Sequence, residues 1–150
     1  MGLDFGVYAK KQGEEPIELA YGRKSWELVY ALVPDYDDFI NDDPTITIER
    51  WDALMEKLEK IGPKLEDIWE AYYDLDNWPN YHTPDLDKKY NELVELCFEY
   101  EMWYNKSFEC EPHLGYDFSV SYMLDFWNAR DEVRKYLEDP EYEVKAYVSY

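Results

Sequence analysis

The sequence predicts an α+β domain in which a small antiparallel sheet packs with about five helices. Segments with strand character lie at the two ends of the 150-residue chain, and apolar residues at helical spacing fill the region between them. Strands that are separated from helices along a chain are typical of α+β architecture. The length fits a single domain, residues 1–150. Hydrophobic residues at 46% and aromatic residues at 19% provide enough apolar surface for a core.

The strands are predicted from aromatic and β-branched residues bounded by turn signals. Residues 3–11 and 15–22 flank Gln12-Gly13 and are predicted to form a hairpin. The alternating tail, residues 141–150, is predicted to be a third strand. We expect this tail to join the hairpin in one antiparallel sheet.

Helix start and stop signals divide the region that follows the hairpin. Ser25 is expected to cap a helix that runs from Trp26 to about Leu32. Residues 33–44 contain five Asp and two Pro, and this composition predicts a loop. We refer to residues 33–44 as the acidic loop.

Two further helices are predicted on either side of Gly62-Pro63. Thr47 is expected to cap the first, whose buried stripe begins at Trp51. Gly62 and Pro63 together predict the end of that helix, and a second helix is predicted over residues 64–75.

Two helices complete the predicted set. One begins at Pro84 and runs to about Asn105, with an apolar stripe that includes Tyr90. The last opens at Ser119 or Ser121 and ends before Asp139-Pro140. We expect the Tyr90 stripe, like the Trp51 stripe, to face the core.

The charge of the chain excludes some classes of partner. With 35 acidic and 15 basic residues the formal net charge is −20, which argues against direct nucleic-acid binding and against an anionic membrane surface. The sequence shows no secretory signal and no apolar run of about 18 residues. Two cysteines do not make a disulfide scaffold. We therefore expect a cytoplasmic protein with reduced thiols.

Acidic residues without nearby bases form three groups. The acidic loop carries five acids within nine residues, and two predicted helices carry acids spaced along one face. The candidate partner-binding residues are Asp35, Asp37, Asp38, Asp42 and Asp43 of the loop, Glu66, Glu70 and Asp74 of one helix, and Glu92, Glu95 and Glu99 of the next. The last helix differs, because Arg134 follows Asp131 by three residues and predicts ordinary ion pairing.

Two interpretations of these acids remain open. In the first, the acids imitate nucleic-acid phosphates and bind a basic, nucleic-acid-binding host protein, such as a restriction or CRISPR-type defence factor. In the second, the chain is a small globular domain of unknown role whose acids only increase solubility.

The N-terminal region resembles a group of small uncharacterised proteins from phages and prophages. Those proteins begin Met-Gly-Leu-Asp-Met and later carry Ala-Tyr-Trp-Arg-Lys before a helix, and this chain has Met-Gly-Leu-Asp at residues 1–4 and Ala-Tyr-Gly-Arg-Lys at residues 20–24. It departs from the pattern at Phe5 and Gly22. The resemblance covers residues 1–35 and implies a phage or mobile-element setting, but no activity.

The sequence nominates no catalytic residue, metal site or cofactor. A calcium loop starting at Asp35 would place Phe39 and Ile40 where an acid and a glycine are required. The available zinc ligands, which lack the usual paired spacing, are His82, Cys97, Cys110 and His113. No nucleophile motif or glycine-rich phosphate loop is present. We expect a protein that is not an enzyme, with a metal-dependent hydrolase as the second alternative.

Overall fold

A computed structural model describes residues 4–23, 26–73 and 118–149, together with the helical positions Pro84, Lys88, Asn91, Glu92, Glu95 and Glu99. Its elements are β1 Asp4–Lys11, β2 Ile17–Arg23, α1 Trp26–Leu32, a 3-10 turn at Tyr36–Phe39, α2 Ile48–Tyr73, α3 Phe118–Asn128, α4 Arg130–Glu138 and β3 Tyr142–Ser149. The predicted combination of a small antiparallel sheet with helices is confirmed. Four helices are bounded within this part of the chain, rather than about five.

The sheet has three strands in the order β2-β1-β3, with β1 antiparallel to both neighbours. Val7 in the central strand pairs with Ala20 on one side and Ala146 on the other. A bulge between Val7 and Tyr8 interrupts the pairing of β1 with β2. The predicted addition of the C-terminal strand to the N-terminal hairpin is therefore confirmed.

One face of the sheet forms the floor of the hydrophobic core. Phe5, Val7 and Ala9 alternate along β1 and are fully buried on this inner face. Phe126 of α3 stacks on Phe5 with ring centroids 5.6 Å apart, and lies 6.1 Å from the ring of Trp51 in α2. The sheet, α2 and α3 thus share one core.

Helix α2 begins as its sequence predicts. The Arg50 backbone N–H donates to Oγ1 of Thr47 at 3.2 Å, which satisfies one of the free amides at the helix start. The buried stripe of the helix consists of Trp51, Leu54, Leu58 and Ile61. The cap at Thr47 and the inward direction of the Trp51 stripe are both confirmed.

The predicted helix end at Gly62-Pro63 is wrong, because α2 continues through both residues as one 26-residue helix. Gly62 is buried beneath the Trp127 ring of α3, and a Cβ at position 62 would lie 2.8 Å from Cε2 of that ring. The glycine allows close packing of α3 against α2. Pro63 lies on the exposed side of the helix. Two predicted helices are consequently one.

The last predicted helix is instead two, α3 and α4, which meet at Ala129. This residue has φ −84° and ψ 0°, outside regular helical geometry. Helix α3 packs against β2, whereas α4 packs against β3 on the other side of β1. The change of direction at Ala129 lets the two segments cover both outer strands, which a straight helix does not do.

Some predictions lie outside the described residues, namely the cap at Ser25 and the Tyr90 stripe. The described positions from Pro84 to Glu99 are helical, in agreement with the helix predicted there. Within the described ranges, no helix has the length and apolar character needed to cross a membrane.

Candidate functional site

The end of the acidic loop runs along the free edge of β3. The Ile46 N–H donates to the Val144 carbonyl at 2.9 Å, and the Ala146 N–H donates to the Pro44 carbonyl at 3.0 Å. These bonds cover the edge of the strand, which would otherwise present unpaired amides and carbonyls. They also bring the preceding residues, Asp42 and Asp43, to the outer face of the sheet.

The first three acids of the loop surround the 3-10 turn. The Asp35 carboxylate caps this turn by accepting the Asp37 backbone N–H at 3.0 Å. Asp37 and Asp38 lie in the first turn and are exposed. Ile40 follows them and is 69% exposed, so a large apolar side chain stands beside exposed acids.

The other two loop acids are engaged with the sheet. Lys145 of β3 donates to Oδ2 of Asp42 at 3.3 Å, and its side chain is only 16% exposed. The Asp43 backbone N–H and Lys145 together lower the pKa of Asp42. The Tyr8 hydroxyl donates to Oδ2 of Asp43 at 2.6 Å. A base distant in sequence therefore neutralises part of the loop.

Because α2 is continuous, acids from both sides of Gly62-Pro63 share one exposed strip. Spacings of three, four, three and seven residues keep them on one side of the helix. We call this set the α2 acidic strip, and its exposed members are Glu49, Asp52, Glu56, Glu59 and Glu66. Glu70 lies within α2, but its side chain is outside the described part of the structure, and Asp74 lies outside the described residues altogether.

Three of the four bases of α2 are separated from the acids around the helix. Arg50, Lys57 and Lys64 recur every seven residues and fall on a different strip, whereas the exposed Lys60 lies one turn from Glu56 on the α2 acidic strip. In the part of the chain that the structure describes, Glu49, Glu56, Glu59 and Glu66 form no ion pair. Most acids of the α2 acidic strip therefore face solvent without an ion-pair partner among the described residues.

Asp52 is the exception, because Arg134 of α4 pairs with it. Arg134 also donates from Nε to Oε1 of Glu138 at 2.8 Å. The two carboxylates raise the pKa of the Arg134 guanidinium. The ordinary ion pairing predicted for this helix is found between Arg134 and Glu138, whereas Arg134 does not pair with Asp131. Its second partner is the Asp52 carboxylate on the neighbouring helix.

The acids on the helix predicted to begin at Pro84 are also exposed. They are Glu92, Glu95 and Glu99. Lys64 of α2 contacts Glu92 at 3.2 Å, with both side chains about half exposed. This ion pair places Glu92 beside the middle of α2. The structure thus brings Glu92 to α2, where it has a counter-charge.

A groove on the outer face of the sheet was not predicted from the sequence. It has a volume of about 520 Å³ and is lined by Tyr8, Lys10, Pro16, Glu18, Asp43 and Tyr147. The Tyr8 and Tyr147 rings lie 6.1 Å apart at an interplanar angle of 42°. The Tyr147 hydroxyl donates to Oε1 of Glu18 at 2.8 Å. We call this the outer-face groove.

Tyr147 reaches its partner by crossing the central strand. It starts on β3 opposite Gly6 of β1 and bonds to Glu18 of β2. A Cβ at position 6 would overlap Cε1 and Cζ of the Tyr147 ring. Alternation along β1 places Gly6, Tyr8 and Lys10 on one face, but only the register between strands sets Tyr147 over the glycine.

Both groove phenols stay protonated over a wide pH range. Burial, the hydrogen bond to Asp43 and the negative charges around it raise the pKa of Tyr8. Burial, the hydrogen bond to Glu18 and the charge of that carboxylate raise the pKa of Tyr147. Each phenol proton is already donated to a carboxylate, so the groove offers hydrogen-bond acceptors.

The described residues contain no group of three or more His, Cys, Asp or Glu side chains that could hold a metal ion. The zinc candidates named from the sequence, His82, Cys97, Cys110 and His113, lie outside those residues. No family model, curated protein or solved structure matches the chain. We therefore infer function from the chain's own residues.

Proposed function

We propose that this chain is an acidic, non-enzymatic interaction protein that occupies the basic surface of a nucleic-acid-binding host protein. The α2 acidic strip takes the place of nucleic-acid phosphate in this interaction. The observation that carries the proposal is the continuity of α2, which aligns acids on both sides of Gly62-Pro63 along one exposed side. In the phage or prophage setting that the N-terminal resemblance implies, the partner is a host defence factor.

The dimensions of the strip support this role. The α2 acidic strip is about 26 Å long from Glu49 to Glu66. Its first four acids are spaced about 5 Å apart along the helix axis, and Glu66 follows after about 10 Å. One strand of DNA carries a charge about every 3.4 Å along its axis. A basic groove that follows a phosphate backbone therefore meets a charge row of comparable spacing on α2.

The lack of counter-charges favours partner binding over internal pairing. Glu56 and Glu59 form no ion pair within the described part of the chain, although Lys60 is close in sequence. Each like-charge pair one turn apart on a helix costs about 0.2–0.5 kcal/mol, and a basic partner removes that cost. A field of one sign also accelerates association with an oppositely charged surface.

The exposed Ile40 supplies a second type of contact. Interfaces combine an apolar centre with a polar rim, and Ile40 stands beside the exposed acids Asp37 and Asp38. In this proposal the acidic loop and the α2 acidic strip both contribute charge, and Ile40 contributes an apolar contact.

The proposal is tested by competition with DNA. Immobilised protein is exposed to a bacterial lysate at about 50 mM and 200 mM salt, a range over which phosphate-type contacts weaken strongly. Retained proteins are then eluted with duplex DNA and identified. We expect nucleic-acid-binding proteins that DNA displaces and that are lost at the higher salt concentration.

A matched pair of variants assigns the binding surface. Glu56→Gln/Glu59→Gln/Glu66→Gln removes three charges from the α2 acidic strip, and Glu15→Gln/Asp131→Asn/Glu132→Gln removes three exposed charges elsewhere. Loss of DNA-displaceable proteins with the first variant and retention with the second supports the proposal. Equal retention by both variants, or retention that neither salt nor DNA affects, leaves only a solubilising role for the acids.

A further inference from the structure

We propose that the outer-face groove binds the guanidinium group of an arginine side chain from a protein partner. The groove lies on the face of the sheet that α2 does not cover, so this site is separate from the α2 acidic strip. Its volume of about 520 Å³ is within the range of ligand clefts.

The hydrogen-bonding groups of the groove favour a cation. The Tyr8 and Tyr147 hydroxyls donate their protons to Asp43 and Glu18, and those protons are not available to a ligand. Asp43 uses Oδ2 and Glu18 uses Oε1 for these bonds, and among the described residues nothing donates to Oδ1 or Oε2, so both can accept from a ligand. An anion would find one ammonium, that of Lys10, and two carboxylates.

The aromatic surfaces favour a planar cation over a compact one. Tyr8 and Tyr147 present two ring faces beside the carboxylates. A guanidinium stacks on aromatic faces and forms paired hydrogen bonds with carboxylates, whereas an ammonium is a strongly hydrated point charge. Because the groove is open to solvent, it suits a side chain presented by a partner better than a free small molecule.

Lys10 is the internal competitor for this site. Its ammonium donates to the backbone carbonyl of Glu14 at 3.3 Å and is exposed. It therefore lies at the groove, where its hydrogen bond goes to this carbonyl and to neither Asp43 nor Glu18. Its positive charge repels an incoming guanidinium, so its removal strengthens binding of an arginine side chain.

The site is tested on the full chain by NMR titration with the blocked tripeptide acetyl-Ala-Arg-Ala-amide. We expect the ring signals of Tyr8 and Tyr147 to shift, with a dissociation constant of about 1 mM for so small a ligand. The matched peptides carry lysine or citrulline, and methylguanidine serves as the free guanidinium. All three are expected to bind at least threefold more weakly.

Substitutions of groove residues test which side chains bind the arginine peptide. Asp43→Asn and Glu18→Gln keep an acceptor for the phenol and remove the charge. Each is expected to lower the affinity for the arginine peptide about tenfold. Lys10→Ala is expected to raise this affinity. Asp131→Asn removes one exposed charge on α4 and is expected to leave the affinity unchanged.

Several results overturn the guanidinium site. These are equal binding of the citrulline peptide, tighter binding of methylguanidine, or an affinity that falls with Asp131→Asn as much as with Asp43→Asn. Should the groove variants not fold, the citrulline comparison on the unaltered chain decides. Arginine binding in the groove with no DNA-displaceable partner on α2 rejects the proposed function alone. A DNA-displaceable partner on α2 without arginine binding in the groove rejects the groove site alone.

Discussion

Gly6 of β1 and Tyr147 of β3 lie opposite each other, and the Tyr147 ring fills the space that a side chain at position 6 would occupy. The contact gives the phenol its path across β1 to Glu18. The absence of a side chain at position 6 therefore allows the Tyr147 ring to lie where it lines the outer-face groove.

We expect Gly6→Ala to lower the free energy of unfolding by about 1–3 kcal/mol, because the added methyl displaces the ring. Tyr147→Phe removes only the hydroxyl and is expected to cost about 0.5–1.5 kcal/mol. In the double variant Gly6→Ala/Tyr147→Ala the overlap is gone. Urea unfolding of the unaltered chain, Gly6→Ala, Tyr147→Ala and this double variant gives a double-mutant cycle, and additive losses would contradict the contact.

Substitutions at the adjacent positions 62 and 63 of α2 are expected to change the free energy of unfolding in opposite directions. Gly62→Ala improves helix propensity, but its Cβ would meet the Trp127 ring at 2.8 Å, so we expect a net loss of stability. Pro63→Ala restores an amide donor at an exposed position and removes a steric conflict, so we expect a gain of about 1 kcal/mol or more. Thermal unfolding measures the stability of the two variants against that of the unaltered chain. A stabilising Gly62→Ala would mean that the Trp127 contact is absent in solution.

Alkaline pH is expected to destabilise the fold through the groove phenols. The pKa values of Tyr8 and Tyr147 are raised above the ordinary value of about 10. Because both pKa values are higher in the folded chain, their stabilising contribution is complete below pH 10 and is lost as the pH rises towards the folded pKa. Phenolate absorbance should show late-titrating tyrosines that disappear in Tyr8→Phe/Tyr147→Phe. An unchanged titration curve would rule out protected phenols.

Neutralising the α2 acidic strip is expected to stabilise the isolated chain while weakening its partner complex. Glu56→Gln/Glu59→Gln/Glu66→Gln removes like-charge repulsion worth about 0.2–0.5 kcal/mol per neighbouring pair. Partner association should slow, and the effect should shrink as salt increases. Unfolding and stopped-flow association measure the two effects. The triple variant Glu15→Gln/Asp131→Asn/Glu132→Gln should leave association nearly unchanged and should lower the stability, because Asp131 and Glu132 lie in the first turn of α4.

Local patterns in the sequence were sufficient for the strands and for the start of α2. Aromatic and β-branched residues on either side of Gln12-Gly13 predict the hairpin, and alternation predicts the C-terminal strand, because side chains on a strand point to opposite faces. The Thr47 cap and the Trp51 stripe were predicted because capping and helical periodicity depend on a few neighbouring residues. These features do not require knowledge of the partner element.

Tertiary structure decided the features whose partners are distant in sequence. The local sequence at Gly62 predicts a helix end, but packing against Trp127 makes this residue part of a helix–helix contact. Arg134 pairs with Asp52 on α2 because that carboxylate is brought to it by the fold. The acidity was evident from composition alone, whereas its continuity along α2 required the uninterrupted helix. The outer-face groove required the β1–β3 register, which places Tyr147 over Gly6 and which no single strand sequence specifies.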